Sequence, residues 1–167
     1  MTGRALALVA LTALALGCSK APPPYGEGEW ITEAARRHGR ADERLAAGDR
    51  PAARAELLAV VAASVPTDVS QEDSRGVLQD TYFRLAKLDL DARDPRAAVA
   101  DADLGLSYGK PADLFVANLL IVRGAAHEAL GNAPAAAEAY HQALAINDRL
   151  LAETLGDKAD DSPGEAP

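Results

Sequence analysis

Apolar residues spaced three and four positions apart organise most of this chain. The spacing is plain from Glu29 to Ala47, where Trp30, Ala34, His38, Ala41 and Leu45 fall on one face of a helix, and Arg36, Arg37, Arg40, Asp42, Glu43 and Arg44 fill much of the rest. Gly48 supplies a left-handed cap, and Asp49-Arg50-Pro51 starts the next helix, predicted from Pro51 to Ser64. Pro66 breaks the pattern. Ser70-Gln71-Glu72-Asp73 has the form of a capping box, opening a long helix from Ser70 to Ala92 whose inner face holds Val77, Leu78, Leu85, Leu88 and either Phe83 or Tyr82. Asp94-Pro95 repeats the earlier turn chemistry and predicts a helix from Pro95 to Tyr108. A fifth, Pro111 to Leu130, is the most apolar of the series, with Leu114, Phe115, Leu119, Leu120, Ile121 and Val122, and is expected to be the best buried. The sixth opens at Pro134 and continues to about Leu155, where Gly156 can cap it; Asp157 to Pro167 is expected to be a disordered acidic tail. The fold class is therefore all-α.

Overlaying consecutive helix pairs puts them in register. Ala53, Ala98 and Ala136 share one position, and Leu57, Ala102 and Tyr140 share the position four later. Three further on come Val60, Gly105 and Ala143, and on the first helix of each pair the matching site is Ala41, Ala86 or Gly124, always small. Small residues let two helices approach closely, and a pair that buries only one face must stack on a neighbour to cover the other. The third unit, Ala117 to Leu150, with Gly124, Gly131, Ala136, Tyr140, Ala143 and Leu144, is the sharpest copy and resembles a tetratricopeptide repeat; Gln79 to Ala112 is a fair match and Ala34 to Thr67 a degenerate one. His127 stands where that family has tyrosine, and Asp148 where it has proline. Ala53 to Ala98 is 45 residues and Ala98 to Ala136 is 38, against roughly 34 for the family. The resemblance implies a right-handed α-solenoid of about three helix-turn-helix units over residues 29–156, whose packing positions are Ala41, Ala53, Ala86, Ala98, Gly124, Ala136, Tyr140 and Ala143. It also implies a groove for a partner, lined by His38, Asp42, Phe83, Lys87, Asn118, Ile121, Ala125 and Glu128. The lysine and asparagine set of the carboxylate-clamp subgroup is absent.

The first residues change the picture of where such a domain would work. Arg4 precedes an apolar run from Ala5 to Leu16, which has the length of a signal-peptide core and falls short of the roughly 30 Å needed to span a bilayer. Gly17-Cys18, preceded by Ala15-Leu16, resembles the lipobox of bacterial lipoproteins, with Ala15 in the place of the usual leucine. The resemblance implies removal of residues 1–17, a covalent lipid on Cys18, and anchoring to a bacterial membrane; Ser19 favours the periplasmic side of an outer membrane if the organism is Gram-negative. Several acyl chains give stable anchoring where one does not. Residues 18–28, with three consecutive prolines and two glycines, then act as a tether.

Charge narrows the partners. Removing Arg4 from 17 basic residues leaves 16 against 25 acidic, a net of −9. So acidic a chain is ill suited to nucleic acid or to an anionic bilayer surface, and its expected partner is another envelope protein. His38, His127 and His141 lack the close helical spacing of a metal site, and there is no phosphate loop or nucleophile elbow. No enzyme activity, metal, cofactor or small-molecule substrate is expected. The expectation is a non-catalytic adaptor or assembly factor; the alternative is a self-associating spacer, which Ile146, Leu150 and Leu151 would serve if they lay on an open face.

Overall fold

A computed structural model describes residues 27–160. The expected signal segment, Cys18 and the expected tether up to residue 26 lie outside the described residues, as do residues 161–167 of the expected tail. Within residues 27–160 the chain forms six helices and no strand: α1 (Glu27–Ala46), α2 (Arg50–Ala62), α3 (Gln71–Asp91), α4 (Pro95–Ser107), α5 (Leu114–Ala129) and α6 (Ala133–Asp160).

Three turns of one design join the helices into hairpins. Gly48 (φ 79°), Arg93 (φ 63°) and Gly131 (φ 73°) each take the left-handed conformation that ends a helix. In each turn the N–H of that residue donates to the carbonyl three back: Gly48 to Leu45 at 3.0 Å, Arg93 to Leu90 at 3.0 Å and Gly131 to Glu128 at 2.9 Å. The next N–H donates to the carbonyl five back: Asp49 to Arg44 at 2.8 Å, Asp94 to Asp89 at 2.9 Å and Asn132 to His127 at 2.9 Å. This is the Schellman pattern. The residue that completes it also begins the next helix, since the side chains of Asp49, Asp94 and Asn132 accept from the N–H groups of Ala52 (3.1 Å), Ala97 (3.1 Å) and Ala135 (3.3 Å).

Each helix packs on helices near it in sequence. Within the hairpins α1 meets α2, α3 meets α4 and α5 meets α6; between hairpins α3 receives α1 and α2, and α5 receives α3 and α4. Central α3 therefore touches four others. The core is built from alanines and a few larger residues: Ala41, Ala53, Leu57, Leu85 and Leu88 form one cluster, and Ala86, Ala102, Leu106, Val116, Leu119, Leu120, Val122 and Ala143 another. The half-buried Tyr82 packs against both. The long loop before α3 is held down by Val69, which joins Trp30 and Leu78 in a third cluster.

Several expected boundaries move by a residue or two, and two move further. Asp113, not Pro111, opens α5, because its carboxylate accepts from the Val116 N–H at 3.0 Å. Helix α6 runs through Gly156 to Asp160, into the segment expected to be tail. The capping box before α3 is altered: Ser70 Oγ accepts from the Asp73 N–H at 3.0 Å, but the Asp73 carboxylate accepts from the Ser70 hydroxyl (2.6 Å). Helix α5, expected to be the best buried, is buried only in part. Leu119, Leu120 and Val122 are buried, whereas Leu114 (59% exposed), Phe115 (40%) and Ile121 (42%) are not. Leu45, expected on the inner face of α1, is also exposed.

Candidate functional site

The positions expected to seat helix against helix differ in exposure, Tyr140 being half-buried. Ala41, Ala53, Ala86, Ala98, Ala136 and Ala143 are all buried. At Gly124 a Cβ atom would stand 2.6 Å from Cε1 of Tyr140, so only hydrogen fits between α5 and that ring.

The expected groove residues divide among separate places. Asp42, Phe83 and Lys87 come together in a cleft of about 260 Å³ between α1 and α3, floored by Ala41, Leu57 and Leu88. Arg84 and Asp91 also line it, and sequence reasoning missed both. His38 lies one turn away, in a smaller recess of about 160 Å³ bounded by Ile31, Gly76 and Phe115. Asn118, Ile121, Ala125 and Glu128 on α5 line neither cavity; Ile121 and Glu128 are exposed and the other two half-buried.

A ladder of alternating charge fixes the cleft wall. His38 and Asp42, one turn apart on α1, meet Asp80 and Arg84, one turn apart on α3. Arg84 Nη1 donates to both Asp42 oxygens at 2.9 and 3.1 Å, and its Nε donates to Asp80 at 2.9 Å. Burial pushes the Asp80 carboxyl upward, but hydrogen bonds from His38 and Arg84 outweigh it and hold the group below its ordinary value. The Thr81 hydroxyl donates its hydrogen to the Val77 carbonyl at 2.7 Å, so at His38 Nε2, 2.8 Å away, it accepts. Asp80 faces Nδ1 of the same ring at 3.2 Å and can only accept. Both ring nitrogens thus face oxygen atoms of α3.

A second charged cluster ties three helices. Arg54 of α2 pairs closely with Asp89 of α3 and lies 3.6 Å from Asp101 of α4. One oxygen of each aspartate is buried without a hydrogen-bond partner. Burial, and then the neighbouring Asp89 carboxylate, raise Asp101 to about 6. No spacing rule in the sequence brings Arg54, Asp89 and Asp101 together, because each lies on a different helix.

The cleft offers an apolar floor with Lys87 and Asp91 exposed at its edge, while Asp42, Arg84 and Asp80 largely satisfy one another. A cleft of this make-up can hold an apolar side chain or two and orient polar groups beside them. Among the described residues no three His, Cys, Asp or Glu side chains are placed to hold a metal ion, and no helix is long and apolar enough to cross a membrane. No family model matches the chain, and no curated protein sequence matches it.

Proposed function

We propose that the chain is a lipoprotein, anchored through Cys18 in a bacterial envelope, whose three hairpins stack as a tetratricopeptide-like solenoid and hold a partner protein without catalysis. The observation that carries the reading is the repetition of one hairpin design. The same Schellman-and-cap turn recurs at Gly48, Arg93 and Gly131, small residues recur at Ala41, Ala86 and Gly124, and contacts run only between helices close in sequence. Arrays of this kind present extended surfaces that suit recognition of proteins. The partner site is the cleft of Asp42, Phe83 and Lys87, where an apolar anchor from the partner enters above Leu57 and Leu88.

Two experiments test the parts separately. A photo-crosslinking amino acid placed at Phe83 or Lys87 in the native cell should yield a discrete adduct that the same group at Leu58, an exposed residue of α2 that does not line the cleft, does not; equal patterns at all three would end the cleft assignment. Cys18→Ala should move the protein from the membrane to the soluble fraction, and its retention in the membrane would remove the lipid anchor from the reading.

A further inference from the structure

The register of the hairpins shows which surfaces serve as helix-docking faces. On second helices the positions of Leu57 and Ala102 are equivalent, as are those of Val61 and Leu106. Leu57 packs on Leu85 and Leu88 of α3, and Ala102 and Leu106 pack on Val116, Leu119 and Leu120 of α5. The equivalents on α6 are Tyr140 and Leu144, and there the cover stops: Leu106 is 5% exposed, Leu144 56%. First helices behave alike. Ile31 and His38 of α1 meet α3, and Gly76 and Phe83 of α3 meet α5 or its cluster. Their equivalents on α5, Leu114 and Ile121, are open.

We propose that this face of α5 and α6 docks an amphipathic helix of another protein, its apolar stripe flanked by lysine or arginine. The two covered faces of the same register each hold a helix, which sets the shape of the occupant. Charge sets its chemistry. Glu128, on the same face of α5 as Ile121, has only the Tyr140 hydroxyl, at 3.1 Å, and Asp148, one turn beyond Leu144, has no ion pair among the described residues. The occupied junctions each include an ion pair across the helices, Arg54 with Asp89 and Arg123 with Asp103 (2.8 Å), the cation coming from the earlier hairpin at the first and from the incoming helix at the second. Here the open side carries the carboxylates, so an incoming helix supplies the cations, as Arg123 does for Asp103. A head-to-tail second copy is disfavoured. Its α1 would have to occupy the place of α5, yet the α1 positions matching Val116, Leu119, Leu120 and Arg123 are Glu33, Arg36, Arg37 and Arg40, a charged face knitted to itself and to Glu56.

The test uses the full chain carrying Cys18→Ala and two fluorescent synthetic helical peptides with the same leucine stripe, one flanked by lysine and the other by glutamate. Fluorescence anisotropy should show the lysine peptide binding at least about tenfold more tightly. Leu144→Asp, shown by circular dichroism to be folded, should lose about tenfold or more of that affinity, while Leu58→Asp keeps it. Failure to bind either peptide, or equal binding of both, overturns the proposal. So does concentration-dependent dimerisation that Leu144→Asp abolishes, which assigns the face to a second copy. Binding that appears only when residues 1–26 are removed would assign it to this chain's own N-terminal segment, and also overturns it.

Discussion

The ring of Tyr140 lies so close to the α-carbon of Gly124 that an added methyl group would stand 2.6 Å from Cε1 and 2.8 Å from Cδ1. Its hydroxyl also donates to Glu128 at 3.1 Å on the helix it presses against, so moving the ring aside gives up that hydrogen bond. Gly124→Ala therefore sets overpacking of about 1–3 kcal/mol against a gain of about 1 kcal/mol in helix propensity, for a net loss near 1 kcal/mol. In a Tyr140→Leu background the clash is gone and the same change should be neutral or stabilising. Urea unfolding of the four proteins in this cycle reads the change of sign directly.

Arg93 occupies a turn position that Gly48 and Gly131 fill elsewhere, with the same left-handed backbone. A side chain there costs about 1–2 kcal/mol relative to glycine, part of which the greater freedom of glycine in the unfolded chain offsets. Arg93→Gly should stabilise by about 0.5–1 kcal/mol, whereas Gly48→Ala and Gly131→Ala should destabilise. Thermal melting of the three variants gives the comparison; a lowered melting temperature for Arg93→Gly would contradict it.

Asp101 titrates near 6 in the fold because it is buried beside Asp89, with Arg54 the single cation between them. Its value lies above that of an unfolded aspartate, about 3.9, so the folded state holds the extra proton between these values and this group's contribution to stability falls as pH rises from about 4 to 6. With solvent screening allowed for, the loss is on the order of 1–2 kcal/mol. Asp101→Asn removes it. The variant should be more stable than the parent at pH 8 and no more stable at pH 4, as measured by denaturant midpoints; a constant difference across that range would show that the pair is not responsible.

Two leucines of comparable prominence in the sequence should behave oppositely. Leu119 is fully buried between α5 and α4, and Leu119→Ala should cost about 2–5 kcal/mol. Leu144 is 56% exposed, and Leu144→Ala should stay within about 0.5 kcal/mol of the parent. A large loss at Leu144 in the isolated protein would mean that its face is already covered.

Much of the helical layout could be read from glycine, aspartate and proline, because each marks a turn by local chemistry. Gly48-Asp49-Arg50-Pro51 and Asp94-Pro95 placed their hairpins correctly. Arg93 escaped notice because arginine carries no signal of a left-handed turn. The packing alanines were legible for a related reason: recurrence of a small residue at fixed register reports a close approach whatever surrounds it. Burial of large apolar residues was less so. Leu114 and Ile121 have the character of core residues, and nothing in their own helix says that they lie on a face that no other described helix covers. Of the expected groove positions, Asp42, Phe83 and Lys87 converge, but His38 is drawn to Thr81 and Asp80 on α3, a contact between helices that its own helical spacing does not announce.

The turns at Asp49, Asp94 and Asn132 make one residue finish a helix and start the next, so each hairpin closes through contacts a few residues long. Because helices then dock only on near neighbours, the mean sequence separation of contacts is short, the condition under which chains fold fast. Longer reaches tie the first hairpin to the second: His38 and Asp42 meet Asp80 and Arg84, each 42 residues on, and Arg54 has its carboxylate partners 35 and 47 residues downstream. During synthesis the first hairpin can therefore form early, but its basic side chain stays unmatched until α3 and α4 have emerged, which makes completion of the second hairpin the step that locks the first in place.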